Sequence, residues 1–311
     1  GDTGPGDAPD VVAAPGGPGS EPPASARVEI IVPEVPEGFR AGFACLVGRP
    51  NAGKSTLTNA LVGAKVAITS GRPQTTRHNV RGVVHREGAQ LVLVDTPGLH
   101  RPRTLLGRRL NDLVRETLAD VDVIAFCLPA NERIGPGDRY IARDLAGLRA
   151  PVVAVVTKTD TVSRQALAAQ LLAVDALGDW ADIVPVSAVR GEQVGVLTDV
   201  LVSHLPPSPP LYPTGEVTDE PVEVMVAELV REAALEGVRD ELPHSLAVVV
   251  DEIVDPRSAR ERGSRVKGSG NRLQVRVSLV VERDSQKAIV IGRGGARLKE
   301  VGVRARAGIE R

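Results

Sequence analysis

Residues 48–55 read Gly-Arg-Pro-Asn-Ala-Gly-Lys-Ser, which fits the pattern G-x-x-x-x-G-K-[ST] of loops that hold nucleotide phosphates. Gly48 and Gly53 let the backbone curl so that its N–H groups point at phosphate oxygens. Lys54 can reach the β- and γ-phosphates, and the Ser55 hydroxyl can coordinate Mg²⁺. An apolar run precedes the loop as a buried strand, and a helical pattern follows it. This context favours a phosphate site over a glycine-rich turn that binds nothing.

Residues 95–98, Asp-Thr-Pro-Gly, end a second apolar run and supply the next phosphate-site element. The Asp95 carboxylate can hold a water on Mg²⁺, and the Gly98 N–H can sense the γ-phosphate. The pattern D-x-x-G is weak alone and gains weight by following the phosphate loop. The polar segment 68–78 lies between the two, and a hydroxyl from it could complete the Mg²⁺ shell. Without its neighbours, an ordinary Thr-rich surface loop would be the better interpretation.

Residues 157–160, Thr-Lys-Thr-Asp, follow an apolar strand and predict the choice of base. Asp160 can accept hydrogen bonds from N1–H and N2–H₂ of guanine, a donor pair that adenine lacks. The Lys158 stem can lie over the base, and Ser187 and Ala188 fit a loop whose backbone supports the guanine oxygen. The sequence therefore predicts GTP rather than ATP.

Thr157 is a departure, because this base motif usually begins with an Asn that ties it to the phosphate loop. A hydroxyl can supply part of that tie. The predicted nucleotide-binding residues are Gly48, Asn51, Ala52, Gly53, Lys54, Ser55, Thr56, Asp95, Gly98, Thr157, Lys158, Asp160, Ser187 and Ala188.

The organisation of the 311 residues predicts two domains after an extension. Residues 1–38 are rich in Pro and Gly and are predicted to be disordered. Residues 39–204 alternate strands and helices, which predicts an α/β P-loop domain with a mostly parallel sheet and helices on both faces. Residues 205–213 form a proline linker. Residues 214–311 are predicted to form a smaller α+β domain.

The pattern predicts strands in the first domain at 42–47, 79–86, 90–94, 121–128, 151–157 and 182–187. Helices are predicted there at 54–62, 104–119, 138–148, 163–177 and 192–204. The second domain should contain a helix, two strands, a short helix, a glycine turn and a helix, at 221–237, 245–254, 271–283, 284–291, 292–295 and 296–310.

Composition excludes several classes of protein. Apolar residues make up 42% of the chain and charged residues 25%, with a net charge of −1. The two cysteines, Cys45 and Cys127, lie in apolar runs, so buried thiols in a reducing compartment are expected rather than metal ligands or a disulfide. No apolar run approaches the roughly 18 residues of a membrane-spanning helix, and we expect neither a transmembrane segment nor a signal peptide.

The second domain is electrostatically divided. Residues 211–256 contain 12 acidic and two basic side chains, whereas residues 257–311 contain 15 basic and five acidic ones. Such a basic half suits a phosphate backbone, although alone it would more often be a solvated surface. Residues 292–295 add a G-x-x-G loop between two helices, typical of a KH domain that clamps single-stranded nucleotides. The predicted RNA-binding residues are Gly292, Arg293, Gly294, Gly295, Arg297 and Lys299.

These motifs together resemble the Era family of bacterial ribosome-assembly GTPases, within the larger group related to translation factors. The resemblance extends from about residue 41 to the end of the chain. It rests on the stretches 48–55, 74–78 (Gln-Thr-Thr-Arg-His), 95–100, 205–210, 241–245 and 281–292.

The resemblance implies a Mg²⁺-dependent switch that binds GTP and GDP and hydrolyses GTP. It favours Thr76 over Thr75 as a ligand of Mg²⁺, together with Ser55 and, through a water molecule, Asp95. The catalytic residues that it implies are Lys54, Thr76 and Gly98. Implied partners are the 3′ end of 16S rRNA and the 30S subunit. We expect a cytoplasmic monomer that associates loosely with the inner face of the cell membrane. The prokaryotic KH arrangement ends in a third strand, which we expect this chain to lack.

Leu99 stands where many small GTPases place a Gln that orients water, so slow turnover is expected unless another group assists. In related GTPases an Asn at the position of Asn51 coordinates K⁺, which suggests K⁺ as a further cofactor. One alternative is an RNA-binding module that uses nucleotide only as a structural ligand. Another, a ribosome GTPase with tandem GTPase domains, is disfavoured because the chain has one phosphate loop.

Overall fold

The computed structural model describes residues 38–67, 80–95, 118–236, 246–254 and 273–310. All of them belong to one compact unit, Val35–Arg311. The predicted disordered extension, apart from its last residue, and most of the predicted helix 104–119 lie outside the described residues.

In the part of the chain that the structure describes, the first sheet has six strands. In chain order they are β1 (Arg40–Val47), β2 (Val80–Arg86), β3 (Ala89–Asp95), β4 (Val123–Pro129), β5 (Val152–Thr157) and β6 (Asp182–Pro185). Their order across the sheet is β2-β3-β1-β4-β5-β6, and only β2 runs antiparallel to its neighbour. Because β1 has β3 on one side and β4 on the other, the connections diverge at its carboxyl end, where α/β sheets bind their ligands.

Within the described residues, four complete helices cover this sheet: α1 (Lys54–Val62), α2 (Pro136–Leu145), α3 (Arg164–Asp175) and α4 (Val194–Ser203). Successive side chains of β4 alternate between two cores. Ala125 and Cys127 face the core that includes α1 and α4, and Phe126 faces the core that includes α2 and α3. Burial on both faces explains why the inner strands are continuous apolar runs.

Element ends differ from prediction for local reasons. The helix predicted at 138–148 begins at Pro136, a residue that suits a first helical turn, and the Asp138 carboxylate accepts the Gly135 N–H at 2.8 Å. The strand predicted at 182–187 ends at Pro185, because Ser187 turns away and its N–H donates to the Glu192 carbonyl.

The second sheet is an antiparallel pair, β7 (Leu246–Val254) and β8 (Gln274–Val281), with a bulge between Val250 and Glu252. It is accompanied by α5 (Val222–Leu235), α6 (Asp284–Ile291) and α7 (Ala296–Ile309). The pair and the helices bury a separate core, formed by Val230, Ala233, Ala234, Leu235, Leu246, Val290, Val301 and Ala305. Across the described parts of the chain, we find no helix of the length and apolarity that crossing a membrane requires.

Candidate nucleotide and RNA sites

The phosphate loop joins β1 to α1 in a conformation that needs glycine. Gly48 and Gly53 have φ angles of 153° and 90°. A Cβ on Gly48 would lie 2.6 Å from the Cys127 carbonyl oxygen, so any other residue would collide with the β4 backbone. Asn51 is also left-handed, with φ of 64°, a conformation that Asn tolerates better than most residues. The backbone is therefore curled as a phosphate cradle requires.

Lys54 lies inside this curl. Its side chain is 7% exposed, and its Nζ lies 3.2 Å from the carbonyl oxygens of both Gly48 and Arg49. The ammonium group is thus held at the centre of the loop, where it can meet phosphate oxygens. Ser55 and Thr56 follow it in the first turn of α1.

Thr157 ties the base motif to the phosphate loop. Its buried hydroxyl donates to the Ala52 carbonyl at 2.7 Å. Ala52 is itself buried, so the bond satisfies a carbonyl that water reaches poorly. The hydroxyl therefore supplies the connection between the two loops that the sequence assigned to this position.

We expect Thr157→Val to raise the dissociation constants for GTP and GDP about fivefold, because a buried carbonyl without its donor costs about 1 kcal/mol or more. Thr157→Ser keeps the hydroxyl and should bind nucleotide as the wild type does. Fluorescent-nucleotide titration measures both variants. Equal affinity in the Val and Ser variants would show that the hydroxyl does not order the site.

Asp160 is oriented by the side chain of Ser187, a residue for which the sequence predicted only a backbone role near the guanine oxygen. Ser187 is fully buried, and its hydroxyl donates to Asp160 Oδ1 at 2.7 Å. The Ser187 Oγ in turn accepts the Arg190 N–H at 3.2 Å, which fixes the orientation of the hydroxyl. The carboxylate is thereby held in one orientation beside Lys158, as the selection of a base edge requires.

A network of charges brackets the phosphate loop. Arg49 Nε lies 2.6 Å from Oδ1 of the buried Asp138, and Arg49 Nη2 lies 3.2 Å from Glu132. Lys158 Nζ lies 3.9 Å from the same Glu132 carboxylate, which therefore stands between the phosphate loop and the base motif. Burial disfavours the charged guanidinium, but hydrogen bonds and attraction from Asp138 and Glu132 outweigh it and raise the pKa of Arg49. Sequence reasoning missed both carboxylates, since no local motif marks them.

The metal-binding prediction is described only in part, because Thr76, Gly98 and Leu99 lie outside the described residues. Asp95 is the last residue of β3 and is paired in register with Leu46 near the end of β1. Ser55 is the second residue of α1, the helix that directly follows the phosphate loop. Both residues therefore come to the same end of the sheet, and their hard oxygen donors are of the type that suits Mg²⁺.

The G-x-x-G loop connects α6 to α7 through left-handed glycines. Gly292, Gly294 and Gly295 have φ of 71°, 61° and 78°. A Cβ on Gly292 would lie 2.6 Å from the Arg297 Cβ, whereas nothing lies within 4 Å of a Cβ on Gly294. The loop tip is therefore open, and the amino terminus of α7 follows it, a position that favours phosphate.

The predicted RNA-binding cations differ in their surroundings. Arg293 and Lys299 are exposed beside the loop. Arg297 instead donates to the carbonyls of Ala234 and Glu236, at 3.2 and 3.0 Å, and so binds the carboxyl end of α5. Sequence reasoning treated the three cations alike, because it could not place α5 against α7.

Two family models match the chain: the 50S ribosome-binding GTPase over residues 43–158 and the KH domain over residues 241–311. The GTPase Era of Streptomyces coelicolor is 64% identical over 277 residues, which cover 87% of this chain and 85% of that protein. The GTPase Era of Mycobacterium leprae is 62% identical, covering 88% of this chain and 89% of that protein.

Solved structures of Era are also similar to this chain. A crystal structure of Era in complex with MgGDPNP and nucleotides 1506–1542 of 16S ribosomal RNA has a TM-score of 0.79 at 34% identity. A crystal structure of a point variant of Aquifex aeolicus Era bound to GDP·AlF4⁻ gives the same values. Each comparison covers 88% of this chain and 89% of the other. The predicted fold class, a P-loop GTPase domain followed by a KH domain, is confirmed. With relatives this similar over most of both lengths, the chain belongs to the Era family of GTPases.

Proposed function

We propose that this chain is a GTP-hydrolysing switch that binds the 3′-end region of 16S rRNA and acts in assembly of the 30S subunit. The nucleotide-binding part of this proposal rests on one observation. Ser187 holds the Asp160 carboxylate at the same end of the sheet as the phosphate loop. Such a site can grip a triphosphate and a guanine edge together.

Each group at this site has a separate role in binding. The N–H groups of the loop and the Lys54 ammonium neutralise phosphate charge, and Asp160 pairs with the guanine edge. Ser55, Thr76 and, through water, Asp95 would hold Mg²⁺, which supplies further charge neutralisation at the phosphates when bound. The Gly98 N–H would donate a hydrogen bond to the γ-phosphate, so that the residues after Gly98 change conformation when this phosphate is lost.

Hydrolysis should depend on a monovalent cation, because Leu99 cannot orient water. We assign K⁺ to Asn51, whose left-handed backbone places it at the outer turn of the phosphate loop. Turnover is therefore expected to be faster in KCl than in NaCl at matched ionic strength, because K⁺ would stabilise charge that develops between the β- and γ-phosphates. Phosphate release measured in the two salts checks this. Equal rates would remove K⁺ from the mechanism.

The RNA half rests on the open G-x-x-G tip, on the exposed Arg293 and Lys299, and on the relative crystallised with a 16S rRNA fragment. We assign residues 39–204 to nucleotide binding and 214–311 to RNA binding, joined by the linker 205–213. The reducing cytoplasm is the proposed compartment, since Cys45 and Cys127 are both buried in the core of the first domain. A monomeric state and association with the inner membrane face stay predictions, which light scattering and vesicle co-sedimentation test.

A direct test measures RNA binding in the two nucleotide states. A labelled RNA with the sequence of 16S nucleotides 1506–1542 should bind the full chain more tightly with GDPNP than with GDP. An RNA of the same length and composition in scrambled order should bind more weakly in both states. Equal affinity for the two RNAs would refute recognition of the 16S 3′ end.

A further inference from the structure

The proline linker is bound to the first domain and does not run free between the domains. At its start, the Arg40 guanidinium donates to the Leu205 carbonyl, and the Ser208 N–H donates to the Phe39 carbonyl at 3.1 Å. These bonds hold the linker beside the beginning of β1.

Gln90, on β3, makes the most complete attachment. Its side chain is 2% exposed, although glutamine is a residue usually found on the surface. Its Nε2 donates to the Tyr212 carbonyl at 2.8 Å, and its Oε1 accepts the N–H groups of Leu211 and Tyr212 at 2.6 and 2.8 Å. One buried amide thus satisfies three backbone groups of the linker.

The attachment continues along β2, the edge strand. The Val83 N–H donates to the Val217 carbonyl at 2.9 Å, and His85 Nε2 lies 2.7 Å from the Glu216 carbonyl oxygen. Bonds are therefore made at both ends and in the middle of the segment 205–217, and only residues 218–221 remain before α5 begins.

The strands that hold the linker are those next to the predicted phosphate-sensing residues. Thr76 precedes β2 by a few residues, and β3 ends at Asp95, shortly before Gly98. A change at either residue on loss of the γ-phosphate would act on strands to which the linker is bonded.

At the other end, α5 contacts both domains. The Lys65 ammonium, just after α1, pairs with the Glu232 carboxylate on α5. The carboxyl end of α5 accepts the two hydrogen bonds of Arg297, which follows the G-x-x-G loop. An orientation imposed on α5 therefore extends to the RNA-binding loop.

We infer that Gln90 is a positioning residue that clamps the linker to β2 and β3, so that the placement of the KH domain follows the nucleotide state of the GTPase domain. The inference rests on the proposed function, because it needs both a GTP-sensing domain and an RNA-binding domain. Its physical basis is length: the bonds along residues 205–217, with those of Gln90 in the middle, together reduce the free connection from residues 205–221 to residues 218–221. A shorter tether restricts the orientations open to the second domain.

The test uses the full chain and three variants. Gln90→Leu keeps the bulk of the side chain and removes all three hydrogen bonds. Leu211→Pro removes one N–H donor from the linker side, at a residue that is 41% exposed and outside the core. Gln170→Leu is the matched control, because the Gln170 amide also donates to backbone carbonyls, those of Pro129 and Glu132, away from the linker.

The measured quantity is the ratio of dissociation constants for the 16S 1506–1542 RNA with GDP and with GDPNP. In the wild type and in Gln170→Leu this ratio should be about fivefold or more, as for an ordinary allosteric coupling. In Gln90→Leu and Leu211→Pro it should fall towards one, while the affinity for GDPNP without RNA stays at the wild-type value. If Gln90→Leu does not fold, Leu211→Pro decides the matter.

Wild-type ratios in both linker variants would overturn the clamp and leave the proposed function standing. A wild-type chain that binds this RNA equally in both nucleotide states would overturn the nucleotide-dependent switch, and the clamp with it. Loss of the ratio in Gln170→Leu as well would show a general effect of lost hydrogen bonds and would also overturn the clamp.

Discussion

In the Asp160→Asn variant we expect nucleotide preference to change from guanine to xanthine. The Ser187 hydroxyl donates to Oδ1, so an amide at this position would keep its oxygen there and turn its NH₂ to the other side. That NH₂ opposes the N2–H₂ donors of guanine and matches the 2-carbonyl of xanthine. Affinity for GTP should fall on the order of a thousandfold, because buried donors are left facing each other.

Competition binding with GTP, XTP and ATP measures this exchange. Asp160→Ala is the control, since it removes the carboxylate without supplying an amide, and it should lose GTP without gaining XTP. Ser187→Ala should weaken the exchange, because nothing then fixes the amide orientation. Tight ATP binding by the wild type would be incompatible with the role assigned to Asp160.

The second large effect is expected in the Gly294→Asp variant, whose affinity for 16S 3′-end RNA should fall by more than about tenfold. A carboxylate at the loop tip repels the phosphate that the G-x-x-G loop would clamp and blocks its approach. The dependence of RNA affinity on salt should also become less steep, since its slope scales with the number of phosphates contacted. The fold should survive, because space around a Gly294 Cβ is open and Asp tolerates a left-handed backbone.

Gly88→Asp is the matched control. Gly88 also has a left-handed backbone, with φ of 69°, and open space around its Cβ, but it lies in the turn between β2 and β3. The Gly88→Asp variant changes the net charge by the same amount as Gly294→Asp and should leave RNA affinity nearly unchanged. GTP affinity should be unchanged in Gly294→Asp. RNA affinity equal to the wild type in that variant would leave the basic half of the second domain as a solvated surface.

The fold was predictable where local chemistry dictates structure. The run 152–157 is apolar throughout because both of its faces are covered, and its limits were predicted to within one residue. The linker was not predictable. Gln90 reads as an ordinary polar residue in a strand, and its partner Leu211 is 121 residues away. Contacts of that kind depend on the strand order, which periodicity does not reveal.

In the candidate site, too, local motifs were predictable from the sequence and long-range contacts were not. The phosphate loop and Asp160 lie in short motifs whose chemistry requires those residues, so sequence alone identified them. Asp138 is 89 residues from Arg49 and lies in no motif, and it became visible only through the packing of α2 against the loop. Arg297 was predicted as an RNA contact from its neighbours, yet its guanidinium binds the end of α5.

The most direct test of the account is GTP turnover by the full chain with and without 16S 3′-end RNA. We expect slow, Mg²⁺-dependent hydrolysis of GTP and not of ATP by the protein alone, because Leu99 supplies no water-orienting group. The RNA should accelerate that hydrolysis in the wild type and in Gly88→Asp, and should not do so in Gly294→Asp. A rate that is the same with and without RNA in all three proteins would contradict the central claim, that one chain couples a guanine-nucleotide site to an RNA-binding domain.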